Sequence, residues 1–243
     1  MRKIVTTIIL LSMAIFSLYA ASALTDEQVR QRDQKLEQLK QQFISATRFE
    51  GYVNYSYQNV TISEYIGNFP GVPLPATNDT LAVKTAATSI FNIMKPFIHA
   101  SPDQLTITDF WISDNISKVT YNQSINGASF EYGGRLSIKF DHNRGIVKVM
   151  DGTHKISDNE PILVSQEQAQ KIVKDERARR NYTTEFSLSK HKFEVIYSSY
   201  DHLHDNYPYR KYWRIGYLEG AYYVDCNTGK VSFKKAVLLQ YTY

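Results

Sequence analysis

The sequence predicts an α+β protein of two small modules, each an antiparallel sheet packed by a helix, with an N-terminal amphipathic helix before the first module. Apolar residues recur at helical spacing ahead of two strand-rich blocks, and 18 Tyr within a 13% aromatic share favour sheet. The pattern Asp-x-Asn-x-Gly also occurs once in each block, at Asp141, Asn143 and Gly145 and at Asp225, Asn227 and Gly229. Asp and Asn tolerate left-handed backbone and Gly accepts positive φ, so both copies predict hairpin turns and suggest an internal repeat.

Residues 1–23 predict a secretory signal peptide. Arg2 and Lys3 precede an apolar stretch, and the small residues at 21–23 match a cleavage site. The alternative is an uncleaved membrane anchor, because the apolar run nearly reaches the roughly 20 residues that span a bilayer. After cleavage we expect no membrane span and a secreted, extracytoplasmic or cell-envelope location.

The segment 24–100 begins with a capping box at Thr25 and Gln28, which predicts the amphipathic helix. We expect this helix to lie on its own domain, and coiled-coil pairing is the alternative. Strand-like alternation, a Pro-rich loop at 68–78 and a second helix at 81–97 follow.

The first module is placed at 101–153, with helix 81–97 as an optional part of it. A strand is predicted at 105–111, followed by a meander of four antiparallel strands at 118–123, 127–132, 135–141 and 146–150. The second module is placed at 161–236. A capping box at Ser165 and Gln168 opens its helix, and strands are predicted at 192–198, 211–218, 221–225 and 230–236.

Composition excludes some classes of function. The formal net charge of +4 falls to +2 without Arg2 and Lys3, and no basic stripe stands out along the chain, so we expect no nucleic-acid partner. Cys226 is the only cysteine, which excludes an internal disulfide.

Catalytic and metal motifs are largely missing from the sequence. None of the six His is followed by Glu, which excludes the helical zinc-protease motif, and no serine-nucleophile elbow or phosphate loop is present. A calcium loop needs Gly at its sixth position, whereas Gly145 and Gly229 are fifth in theirs. We therefore expect no enzyme activity and no cofactor. His202 and His204 are a weak candidate for a metal pair, and a solvated loop is the favoured alternative.

Five Asn-x-Ser/Thr sequons are candidate glycosylation sites on an exported glycoprotein. They lie at Asn59, Asn78, Asn115, Asn122 and Asn181.

Motifs in both modules resemble known families. The first module has Tyr-x-Gln-x-x-x-Gly at 121–127, a strand ending in Asp141 and Gly-x-Val-x-x-x-x-Gly at 145–152, and it resembles the fungalysin/thermolysin propeptide (FTP) domain. The second module has Tyr-Trp-Arg-Ile at 212–215, Tyr-Tyr-Val-Asp at 222–225 and Thr-Gly-Lys-Val at 228–231, and it resembles a PepSY domain, whose fold is cystatin-like. This order of modules is that of thermolysin-type protease prosegments.

The resemblance implies a protein that inhibits or chaperones a peptidase. No protease domain follows the second module in this sequence, so we expect action in trans on a secreted or envelope peptidase, such as a thermolysin-like metalloprotease. The alternative is a cell-surface structural or ligand-binding module with no protease target. The expected contact positions are Phe130, Tyr132, Arg135, Tyr212 and Trp213.

Overall fold

Helix boundaries follow signals that are visible in the sequence. In this computed structural model, which describes residues 24–57, 60–76, 79–131, 133–156, 161–182, 193–198, 209–217 and 220–235, the helices are α1 (Asp26–Thr47), α2 (Thr80–Met94) and α3 (Gln166–Arg179). Both predicted capping boxes form, since Thr25 and Ser165 each exchange hydrogen bonds with the Gln three residues later. Asp79 caps α2 by accepting from Ala82 N at 2.9 Å. None of the described helices is long and apolar enough to cross a membrane.

In the part of the chain that the structure describes, eleven strands form one sheet that is antiparallel at every pairing except one. The strands are β1 (Glu50–Ser56), β2 (Thr61–Asn68), β3 (Leu105–Ile112), β4 (Ile116–Ile125), β5 (Ala128–Phe130), β6 (Arg135–Asp141), β7 (Ile146–Asp151), β8 (Phe193–Ser198), β9 (Arg210–Tyr217), β10 (Gly220–Asp225) and β11 (Val231–Lys235). Their order is β1-β2-β7-β6-β4-β5-β8-β9-β10-β11, and β3 pairs with β4. Among the described strands, β5 and β8 are the one parallel pair. The expectation of an α+β protein with largely antiparallel strands is confirmed.

The predicted four-strand meander is wrong at its second strand. β5 has only three residues, pairs with β4 through two residue pairs, and has β8 as its other neighbour. β6 pairs directly with β4 instead. The chain returns to β4 at Gly134 (φ 62°), whose carbonyl accepts from Gln123 N at 2.7 Å. Strand β5 and Glu131 therefore lie off the β4 edge and contact the other half of the sheet.

One core lies between α1, α2 and strands β1, β2, β3, β4, β6 and β7. Phe43 of α1 lies 4.5 Å from Tyr65 and 5.0 Å from Phe97, measured between ring centroids, so α1 packs on its own domain. Phe91 of α2 stacks on Tyr121 of β4 at 4.7 Å. Fully buried side chains of α2 and the sheet complete this core, including Val83, Ile90, Met94, Val119, Leu136, Ile138 and Phe140.

A second core lies between α3 and strands β9, β10 and β11. Its buried members are Ala169, Val173, Ile215, Tyr222 and Val224. Between the two cores, Ile125 and Ala128 form a small apolar cluster with Phe130, Val195 and Tyr209. Strand β5 is thus tied to both halves of the sheet by backbone pairing and by packing.

The two Asp-x-Asn-x-Gly segments are turns between β6 and β7 and between β10 and β11. Gly145 (φ 65°) and Gly229 (φ 71°) both have positive φ. Asp141 accepts from Arg144 N at 3.1 Å, and Asp225 accepts from the N–H groups of Asn227 and Thr228 at 2.9 and 2.7 Å. Asn143 lies within the first turn.

Candidate functional site

A polar cleft opens where β5 departs from β4. Its volume is about 340 Å³, at the low end of the range for ligand pockets. Both halves of the sheet contribute to it, because β4 and β6 supply one wall and β5, β8 and β9 supply the other. The lining residues are Asn122, Gln123, Ser129, Phe130, Glu131, Gly133, Gly134, Arg135, Ile196 and Arg214.

Phe130 is held in the cleft by close backbone packing. A Cβ added at Gly134 would lie 2.7 Å from the Cβ of Phe130, so only Gly allows this approach. The ring of Phe130 lies 5.6 Å from Tyr209 and 5.2 Å from His154, and those two rings are 4.3 Å apart. The apolar side of the cleft is therefore fixed by ring contacts from three separate parts of the chain.

Glu131 is the acidic group of the cleft. It accepts a hydrogen bond from the Tyr223 hydroxyl, and Lys234 Nζ lies 3.8 Å from its carboxylate. Burial, followed by the hydrogen bond to Glu131 and its negative charge, raises the pKa of Tyr223, while Arg214 opposes this rise. Tyr223 therefore remains a protonated donor, and the carboxylate of Glu131 has its partners, Tyr223 and Lys234, within the protein.

Arg135 and Asn122 are opposite each other on β6 and β4, at the open end of the cleft. Arg135 is exposed, whereas Asn122 is half-buried. The Asn122 Oδ1 atom is buried and, within the described residues, makes no hydrogen bond. A buried acceptor of this kind gains free energy from a donor supplied by a bound partner.

The cleft continues onto the face of the sheet that turns away from α1 and α2. Asn122 and Arg135 also line a shallow hollow of about 650 Å³ on this face. The rest of its lining comes from β3, β4, β6 and β7, with Gly152 just beyond: Thr108, Asp109, Lys118, Thr120, Ser137, Lys139, Met150 and Gly152. We call this face the open face, and no described helix packs on it.

The expected contact residues do not all lie at the cleft. Phe130 and Arg135 line the cleft, and Tyr212 shares a face of β9 with Arg214 and lies 6.4 Å from the Tyr223 ring. Trp213 is on the opposite face of β9, where it packs on the α3 core and donates from Nε1 to Val164 O at 2.7 Å. Tyr132 lies outside the described residues.

Other expected sites are distributed around the molecule. Asn115 is exposed at the turn before β4, Asn122 lies within β4, and Asn181 is exposed with φ 60° just after α3. Asn59, Asn78, His202 and His204 lie outside the described residues, as does the signal segment 1–23. Among residues that the structure describes, no group of three His, Cys, Asp or Glu could hold a metal ion. The glycosylation sites stay predictions.

Sequence reasoning missed two groups of site residues. Glu131 and Tyr223 are 92 residues apart, and no local sequence pattern predicts their contact. A sequence pattern does indicate the polar residues of the open face, because they alternate with apolar residues along β4 and β6. That alternation indicates one solvent-facing side for each strand, but it does not show which side chains are neighbours across strands.

No family model matches the chain, and no curated protein matches it significantly. Among solved structures, the chain is similar to the Bacillus megaterium YpeB C-terminal domain at 14% identity and a TM-score of 0.32, over 88% of this chain and 99% of that chain. A similarity of this size transfers neither a fold assignment nor a function.

Proposed function

We propose that this protein is a secreted, non-enzymatic regulator that binds an extracytoplasmic peptidase in trans and inhibits or chaperones it. The observation that carries the proposal is the polar cleft that continues onto the open face of the sheet. Such a surface can receive a partner loop in the cleft while the flat face contacts the partner's surface.

The order of the strands supports the prosegment-like part of this proposal. Helix α2 is followed by β3, β4, β6 and β7, which pair in that order, and α3 is followed by β8, β9, β10 and β11, which also pair in order. In both sets the Asp-x-Asn-x-Gly turn joins the third strand to the fourth. This correspondence favours the two-module description, propeptide-like then PepSY-like, with β5 as an insertion and α1, β1 and β2 as an N-terminal addition.

In this proposal the contacts come from the cleft and its rim. Phe130 offers an apolar surface, and Arg135 is an exposed guanidinium that can bind a carboxylate of the peptidase through two hydrogen bonds. Tyr212 lies on the same side and adds an amphipathic ring. Trp213 serves a structural role instead, because it packs against α3.

The test combines the mature protein with peptidases secreted by the organism that makes it, and with thermolysin as a reference metallopeptidase. We expect slower cleavage of a peptide substrate, or a higher yield of active enzyme after refolding. Arg135→Glu should weaken either effect about tenfold, because the new carboxylate repels the peptidase carboxylate that the Arg135 guanidinium attracts. Arg144→Glu, at a side chain that is 77% exposed in the β6–β7 turn, is the matched control.

Complex formation is measured on the same samples by size-exclusion chromatography. No complex at micromolar concentration, together with no effect on cleavage or refolding, would refute the proposal.

A ligand-binding role on the cell surface is the second candidate, and the small volume of the cleft favours it. A volume of about 340 Å³ suits a small ligand better than a protein domain. Binding of a small carboxylate that Arg135→Glu abolishes, without any effect on peptidases, would select this alternative.

A further inference from the structure

Three lysines form a row across the open face. Lys118 of β4 is directly opposite Lys139 of β6, and Lys139 is directly opposite Lys148 of β7. Neighbouring strands are about 4.8 Å apart, so the row extends over about 10 Å at the sheet surface. Arg135 is on the same face of β6, four residues before Lys139.

Such a row works against the stability of the sheet. Like charges directly opposite each other on neighbouring strands are destabilising. Lys148 is compensated, because it pairs with Glu64 of β2. Burial opposes ionisation of Glu64, but hydrogen bonds from Lys148 and Asn54 and the Lys148 charge together lower the pKa of this carboxyl.

Lys118 and Lys139 are left without such compensation. Neither makes an ion pair within the described part of the chain. The other charged groups of the same face are Arg135, which adds to the positive charge, Asp109 on β3, and Asp141 on β6, whose Oδ2 lies 4.0 Å from Arg144 Nε. The face around the row is therefore positively charged.

Apolar side chains lie beyond both ends of the row. Trp111 of β3 is opposite Lys118 and is 49% exposed, and half-buried Ile66 of β2 is opposite Lys148. On the next strand, Tyr52 of β1 is opposite Ile66 and is 58% exposed. Met150, on the same face of β7, is 47% exposed. Trp, Tyr, Met and Arg are the residue types enriched at protein–protein contacts.

We propose that the open face binds an acidic polypeptide segment of a partner protein, with carboxylates on Lys118 and Lys139 and apolar side chains on Trp111 and Met150. Charge complementarity selects an acidic partner, and the exposed aromatic and Met side chains favour a protein over a polyanionic glycan or an anionic membrane. The Cβ atoms of residues i and i+4 of a helix are about 5–6 Å apart, close to the spacing of the strands that carry the lysines, so an acidic helix lying across the strands fits the row. This inference rests on the proposed function because it assigns the chemistry of the partner to the same face.

The experiment measures binding of polyglutamate to the mature protein by calorimetry at 50 and 300 mM NaCl. We expect Lys118→Gln with Lys139→Gln to weaken polyglutamate binding about fivefold to tenfold. Raising the salt to 300 mM NaCl should weaken binding by the wild-type protein more than binding by the variant. The control is Lys35→Gln with Lys174→Gln, which removes the same charge from exposed positions on α1 and α3.

A second measurement separates binding from folding. Removing the repulsion between Lys118 and Lys139 should raise the urea midpoint of the variant while binding becomes weaker. A lower midpoint would mean that the lysines stabilise the sheet, and it would overturn the inference. Tighter binding to heparin or to phosphatidylglycerol vesicles than to polyglutamate would also overturn it, and so would equal binding by the variant and the control.

Peptidase assays with the same variants keep the two proposals apart. Peptidase binding that does not respond to loss of the lysines would overturn this inference and leave the proposed function standing. Polyglutamate binding through the lysines, without any effect on a peptidase, would support this inference and count against the proposed function.

Discussion

At the residue scale, side-chain direction decides which aromatic and charged groups can bind a partner. Tyr212 and Trp213 are neighbours in sequence, yet they lie on opposite faces of β9. Trp213 fills space against α3 and its indole N–H is satisfied by Val164 O. A motif that contains both residues therefore combines one position near the cleft with one in the core.

Glu176 gives a prediction about pH. Its side chain is 6% exposed, and Arg180 Nε donates to its Oε1 at 2.6 Å. The hydrogen bond from Arg180 is the largest cause that lowers the pKa of Glu176 below the usual 4.5, burial opposes it, and Arg179 adds to it. A carboxyl with a lowered pKa stabilises the fold above pH 4.5, and this stabilisation is lost as pH falls through the folded-state value.

We expect Glu176→Gln to lower the free energy of unfolding by about 1 kcal/mol at pH 7, with the difference from wild type disappearing at lower pH. Urea titrations from pH 7 to pH 2.5 measure it. Asp175→Asn, on the exposed side of the same helix, is the control. A difference that persists unchanged at the lowest pH would contradict this account of Glu176.

At the element scale, caps and turns explain why local prediction succeeded. Helix starts at Thr25 and Ser165 were predicted from capping boxes, and both form. Strands β6 and β7 lie within one residue of their predicted ends, because the turn residues fix where they stop. These signals act over three or four residues, which is the range that a sequence pattern can specify without knowledge of the fold.

The turn between β10 and β11 gives a prediction about backbone strain. Gly229 has φ 71°, and a Cβ there would meet only ordinary contacts, 3.4 Å from Ile172 at the nearest. Gly229→Ala should therefore lower the free energy of unfolding by about 1–2 kcal/mol, the cost of left-handed backbone. Gly216→Ala in β9 is the matched control, since Gly216 lacks positive φ and has open space around its Cβ direction.

Urea denaturation of the two variants beside wild type measures the effect. Equal stability of Gly229→Ala and Gly216→Ala would show that positive φ does not matter in this turn.

At the scale of the whole molecule, strand β5 determines how the two halves of the sheet are joined. Ser129 pairs with Ser124 on β4 and with Ile196 on β8. The small cluster of Ile125, Ala128 and their neighbours packs at the same place. The cleft exists because β5 leaves β4 here, so the join and the candidate site share one structural cause.

Ser129→Pro tests this join, because proline removes a backbone donor from a strand with neighbours on both sides. We expect the wild-type protein to unfold in one transition and the variant in two, with a smaller denaturant slope for each. Circular dichroism and Trp fluorescence, followed together in urea, report the transitions. Ser129→Ala is the control and should retain a single transition.

One unchanged transition in the Ser129→Pro variant would mean that β5 is not what couples the two halves of the sheet.

The sequence by itself determined the fold class, the capping boxes of two helices, the positions of most strands and both Asp-x-Asn-x-Gly turns. These features depend on hydrophobic periodicity, capping and turn chemistry, all of which act between residues close in the chain. The tertiary structure decided the parallel pairing of β5 with β8, the contact of Glu131 with Tyr223, and the alignment of Lys118, Lys139 and Lys148. Each of these depends on which strands meet and in which register, and local sequence does not encode that choice because it is made by packing between distant segments.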